Sequence, residues 1–188
     1  MLPDYDEPIT TDDPDEILSY MEYLMGEAGL EMAHWSPNLN SAKNYLGLAE
    51  ASTFAGRIHE GIVNVSKPWF VSIGMETMAE AREDLSRSLL ENTIRHEIAH
   101  AIDYEERGLD ASSHDQRWKD IALRCGCPPV DCASAPTELM ARWKRHCPEC
   151  GTIYKLLHSY AERRRTYLCS RCEGHHPLEV VENEKCLL

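Results

Sequence analysis

The stretch ENTIRHEIAHAIDYEERG, residues 91–108, decides how this chain is read. It holds no proline and no glycine before Gly108, and the Ala-, Glu-, Leu- and Arg-rich character extends back to about residue 79. One long helix or two abutting ones are therefore expected over 79–107, with Gly108 as the stop. Leu90, Ile94, Ile98 and Ile102 recur at four-residue spacing and make a row for the core. His96 lies roughly 200° round the helix from Ile94. His96 and His100 should thus point away from that row and face a cleft.

Four residues apart on a helix, two histidines project from nearly the same face and can reach one ion at about 2.0 Å. Glu97 sits beside the first of them, so the segment reads HExxH, the arrangement of zincin metalloproteases. In a chain of this composition the pattern arises by chance roughly 0.05 times, so the helical context is needed to give it weight. In that chemistry Glu97 is the general base, taking a proton from water and passing it to the leaving amine. A catalytic zinc takes three protein ligands and keeps one open position. The extended pattern with a third histidine six residues on fails, because Asp103 and Glu106 occupy its Gly and His positions. Glu105 and Glu106 rise away along the same helix. His114, beyond the Gly108 stop, can fold back and is the preferred third ligand. Tyr104, one turn beyond His100, is either an oxyanion donor or a packing residue.

Outward from this segment, DDPDE at residues 12–16 reads as a helix start, with Asp13 as N-cap, Pro14 in the first turn and Glu16 closing a capping box. Ile17, Met21, Leu24 and Ala28 follow at helical spacing. Between about 31 and 75, runs such as NYLGLAEAS and RIHEGIVNVSKPWFVSI suggest two or three antiparallel strands. After the loop LDASSHDQ, a shorter helix carries Trp118, Ile121 and Leu123, with Ser112 or Ser113 as its cap.

CPEC at Cys147 and Cys150 and CSRC at Cys169 and Cys172 form two knuckles whose four sulfurs close a tetrahedral, purely structural zinc site. Redox dithiols are the alternative. Cys125, Cys127, Cys132 and Cys186 are read as free thiols, partly buried. The formal net charge of −13 is uneven: residues 137–172 carry +5, and residues 1–136 carry −15. Between the knuckles, Lys155, Arg163, Arg164 and Arg165 mix with Tyr154, Tyr160 and Tyr167. Such a ribbon either contacts nucleic acid through phosphates and stacked bases or is a solvated basic hairpin.

HEIAH, then His114 followed by DQRW, then the paired CxxC module together resemble the SprT-like zinc metalloprotease family, which includes the DNA-dependent protease Spartan. The resemblance rests on residues 86–172, and the chain is similar to the compact microbial or phage type. It implies an α+β fold of zincin type, with the active-site helix packed on a small antiparallel sheet and a C-terminal zinc ribbon. It implies two zinc ions, one catalytic on His96, His100 and His114 and one structural on the four cysteines. It further implies that an edge strand presents main chain to extended substrates, for which Gly61 to Ser66 is the candidate, an ordinary core strand being the alternative. Protein substrates are expected, DNA-crosslinked ones among them, with single-stranded or damaged DNA as a partner. The corresponding divisions are an acidic arm (1–13), a metalloprotease domain (14–136), a zinc ribbon (137–176) and a tail (177–188).

The acidic N-terminal sequence shows no signal peptide, and no run approaches the roughly 18 apolar residues that span a bilayer. An intracellular location, cytoplasmic or at the nucleoid or nucleus, and no membrane partner are expected. A nucleic-acid or protein binding module with an inactive protease-like domain, or a hydrolase of non-peptide amides, are the competing functions.

Overall fold

Asp13 starts the first helix, α1 (Pro14–Glu27), its carboxylate accepting the amides of Asp15 at 2.8 Å and Glu16 at 3.3 Å. The reciprocal half of the expected capping box is replaced: the Asp13 amide donates to Thr11 Oγ1 at 3.1 Å. Ile17, Met21 and Leu24 are buried, and Met25 joins them on the same face. The protein is described from a computed structural model covering residues 2, 9–81, 88–111, 114–127, 135–157 and 166–187. It divides into two compact units, Met1–Ala135 and Pro136–Leu188.

In the first unit β2 (Gly47–Phe54) and β3 (Arg57–Ser66) form an antiparallel hairpin. Its two-residue turn, Ala55 and Gly56, has φ of 52° and 77°, the left-handed pair that matches strand twist. The expected antiparallel sheet is corrected at the other edge. There β1 (Trp35–Asn40) runs parallel to β3, from Trp35 opposite Gly61 to Asn40 opposite Ser66, giving the order β1-β3-β2. WSPNLN conceals this strand because its polar residues and Pro37 break the apolar pattern, and proline is tolerated only where its missing N–H faces off the sheet. The run PWFVSI, read as strand, is instead a π-helical segment, Pro68–Ile73. Trp69, Phe70 and Ile73 are buried there at helical spacing, and a short apolar run does not distinguish the two states.

The long helical pattern resolves into α2 (Met75–Ala81) and α3 (Leu89–Arg107), with residues 82–87 outside the description. Leu90, Ile94 and Ile98 are fully buried, Ile102 is half-buried, and α3 packs on β2, β3 and α4 (Gln116–Arg124). The helix ends at Gly108, whose φ of 61° and N–H donated to the Tyr104 carbonyl fit the expected stop. The cap of α4 is Asp115, which accepts the Trp118 amide at 2.9 Å; Ser112 and Ser113, the expected caps, lie outside the described residues. Trp118 and Ile121 are buried, whereas Leu123 is exposed.

The second unit is a three-stranded antiparallel sheet in the order β5-β4-β6, formed by β4 (Trp143–His146), β5 (Ile153–Leu157) and β6 (Glu179–Glu182). Residues 177–188, expected to be a tail, therefore supply a strand. Buried Asn183 holds them in place by donating to the carbonyls of Glu138 at 2.6 Å and Ala141 at 2.7 Å.

Gly61 leaves room for Trp35: a Cβ there would lie 2.4 Å from the indole, which also donates to Glu105 of α3 at 2.6 Å. Gly61→Ala is expected to lower unfolding free energy by about 1–3 kcal/mol in urea titrations. A smaller side chain at Trp35 should recover part of that strain.

Candidate metal centres

One helical turn separates His96 from His100 on α3, and the Gly108–Asp110 turn brings the chain back so that His114 meets them. The three Nε2 atoms stand 3.2, 3.3 and 3.1 Å apart. Nitrogens at about 2.0 Å from a tetrahedral zinc stand about 3.3 Å apart, so the donor set fits such an ion. Neutral imidazoles cannot pair along all three sides, because each Nε2 either donates through a hydrogen or accepts through its lone pair, and three such atoms cannot alternate round a triangle. Burial, then the neighbouring His96 and His114, push His100 down to about 3, which keeps its lone pair free of a proton.

Trp118, fully buried, forms the floor: its ring centroid lies 4.7 Å from that of His96, 4.9 Å from His100 and 4.3 Å from His114. Glu97 is 5% exposed, and its Oε2 accepts the Ala49 amide of β2 at 2.8 Å. Burial raises this carboxyl to about 8, against the opposing pull of that amide, and a cation held nearby would act in the amide's direction. β2 comes this close because position 47 is glycine: a Cβ there would lie 2.7 Å from both Glu97 Cγ and Thr93 Cγ2. Glu105 and Glu106 are engaged elsewhere, Glu105 with Trp35 and Glu106 with Arg117 and Arg124.

In the second unit Cys147, Cys150, Cys169 and Cys172 converge, their sulfurs all within 4.8 Å of one another. Two of the separations are 3.7 and 3.8 Å. A disulfide needs about 2.0 Å, whereas thiolates at about 2.3 Å from a tetrahedral zinc stand about 3.8 Å apart. Tyr154 completes one knuckle. Its oxygen accepts the amides of Ser170 at 2.9 Å and Arg171 at 3.2 Å and lies 3.0 Å from Cys169 Sγ. That hydroxyl is the main cause holding the Cys169 thiol down to about 6.

Of the ribbon's aromatic residues, Tyr154 serves the cysteine knuckle through its hydroxyl, and the Arg145 guanidinium lies 4.3 Å from the centroid of the exposed Tyr167 ring. Lys155 is exposed on β5, while Arg163, Arg164, Arg165 and Tyr160 lie outside the described residues. Cys125 and Cys127 are buried thiols pushed up to about 11 and about 12 by burial; Cys186 is half-buried and Cys132 is not described. Sequence reasoning missed Ala49 and Gly47 and gave Tyr154 a different role, because what each does depends on distant chain segments meeting.

A three-histidine centre on a buried helix against a small mixed sheet, with a four-cysteine module beyond it in sequence, is the class these features define. The chain belongs to the SprT-like family, whose model matches residues 32–139, more than half of its length. That match takes in the sheet and both site helices and stops before the first cysteine of the ribbon. Protein SprT from Pseudomonas aeruginosa strains LESB58 and UCBPP-PA14 is 29% identical over 92 residues, covering 45% of this chain and 56% of the relative. The match thus spans little more than half the length of those proteins. No solved structure matches the chain. Among the described residues no helix is long and apolar enough to cross a membrane.

Two clusters with separate donor sets should bind two divalent ions per chain, read by elemental analysis of the intact protein. Cys150→Ser with Cys172→Ser is expected to remove one and His100→Ala the other.

Proposed function

We propose that this protein is a zinc-dependent endopeptidase acting at His96, His100 and His114, with Glu97 as general base. The observation carrying this is the triangle of Nε2 atoms, 3.1 to 3.3 Å on a side, two of whose imidazoles share a helix with a buried carboxylate. A zinc ion there supplies Lewis acidity toward a peptide carbonyl and a water molecule. Glu97 accepts the proton given up by the attacking water and returns it to the departing amine. The Ala49 amide holds Oε2, leaving Oε1 for that proton. Trp118 closes the cluster from beneath, keeping bulk water off that side.

The Gly61–Ser66 run does not serve as the substrate edge: β3 is the central strand, paired with β1 and β2 over those residues. The role passes to β2. Its Ala49 amide points off the sheet to Glu97, and by strand alternation Ala51 faces the same way. An extended peptide pairing there lies beside the base and is held through main chain, which favours broad sequence choice.

DNA-associated or DNA-crosslinked proteins are the proposed substrates, with Lys155, Arg163, Arg164 and Arg165 as the proposed contact to single-stranded or damaged DNA. The support is charge: residues 137–172 carry +5 and residues 1–136 carry −15, so phosphate contact falls to the ribbon. Cysteines held as a thiolate set fit a reducing, intracellular compartment.

Glu97→Gln should keep both metal ions and lose at least about 100-fold in peptide cleavage. Cleavage at the wild-type rate would remove Glu97 from the chemistry and favour a binding module with an inactive protease-like domain. The DNA contact is tested separately by titrating single-stranded DNA against salt. Replacing Arg163, Arg164 and Arg165 by alanine is expected to weaken binding and flatten its salt dependence, and equal affinities would end that part of the proposal.

A further inference from the structure

We propose that Arg107 is a positioning residue for the third histidine: by bridging Asp103 and Asp115 it fixes His114 against His96 and His100, and so sets the metal affinity of the three-imidazole site. This rests on the reading of that site as a metal centre.

His96 and His100 are placed by the α3 backbone alone, but His114 is not helical. It stands between the Gly108–Asp110 turn and α4, with φ of 61°, a left-handed conformation uncommon for a residue with a Cβ. The next residue, Asp115, supplies the constraint. Its Oδ1 accepts the Trp118 amide at 2.9 Å, and its Oδ2 accepts Arg107 Nη1 at 2.7 Å. The same guanidinium is pinned to its own helix, with Nε donating to Asp103 Oδ1 at 2.6 Å and Nη2 to Asp103 Oδ2. Asp103 is fully buried and lies one turn beyond His100.

One rigid planar group therefore links the helix bearing two imidazoles to the residue beside the third. A guanidinium suits this because its fork of donors serves two carboxylates in fixed directions, which an ammonium cannot do. Asp115 also sets the start of α4, so the ring of Trp118 beneath all three imidazoles is placed by the same carboxylate. A further polar tie between α3 and α4, Glu106 with Arg117 and Arg124, involves exposed side chains and is open to screening by salt. A third ligand held in advance spares the ion the cost of ordering it, and groups that orient ligands commonly set affinity by 10- to 100-fold.

Asp115→Asn separates clamping from capping, because asparagine caps a helix about as well as aspartate but offers Arg107 no second charged oxygen. Arg107→Lys keeps the charge and loses the bridge. Zinc affinity is measured on the full chain by competition with a chromophoric chelator, the four-cysteine site serving as reference within the same molecule. Both variants are expected to weaken the histidine site about 10- to 100-fold, leave the cysteine site unchanged, and, for Asp115→Asn, keep the wild-type unfolding midpoint. Affinities within twofold of wild type in both variants would overturn the clamp, even if thermal stability fell. A wild-type chain that takes up zinc at the cysteines alone would overturn the metal reading, and the clamp with it. Loss of peptidase activity does not enter either comparison.

Discussion

The fold turns on the need to find partners for polar groups buried along one helix. Glu91, Arg95, His96, Glu97 and Asp103 are all buried on α3, and an uncompensated polar group in such a place costs several kcal/mol (~2–7). Each solution attaches a different part of the unit. Arg95 pairs with Glu91 and donates to the Cys125 carbonyl at 2.7 Å, at the end of α4. Glu97 takes the Ala49 amide from β2, and Asp103 reaches the start of α4 through Arg107. The apolar row of Leu90, Ile94 and Ile98 asks only for proximity, whereas these bonds have direction. They specify where β2 and both ends of α4 lie relative to the histidines.

The two candidate metal centres differ in the way their donors are supplied. The cysteine cluster draws four sulfurs from two tight knuckles, so its geometry is nearly local. The histidine cluster has three donors and needs a loop brought back over a helix, which demands outside support. That support comes from Trp118, Asp115 and Arg107. In the ribbon the single hydroxyl of Tyr154 is enough, gathering two amides and one sulfur.

Features that depend on short spacing were readable in the residues themselves. HEIAH places its rings by helical geometry, the CxxC pairs carry their own turns, and Asp13, Pro14 and Gly108 mark helix ends by local backbone chemistry. His114 followed from the need for a third donor beyond the Gly108 stop. Illegible were the features set by non-local pairing. Nothing in WSPNLN announces a parallel edge strand, and β3 has the more apolar sequence because it is central, which made it a poor guide to the exposed edge. Asp115 was missed as the cap of α4, and its second partner, Arg107, lies eight positions away. The ribbon's final strand was hidden for the same reason: EVVE is too short to declare itself without β4 beside it.

Trp118 gives the site a property unrelated to catalysis. Its indole lies within 4.9 Å, centroid to centroid, of all three imidazoles, and is sealed from solvent. Emission from one of the protein's four tryptophans therefore originates in a ring that touches the cluster and not the solvent.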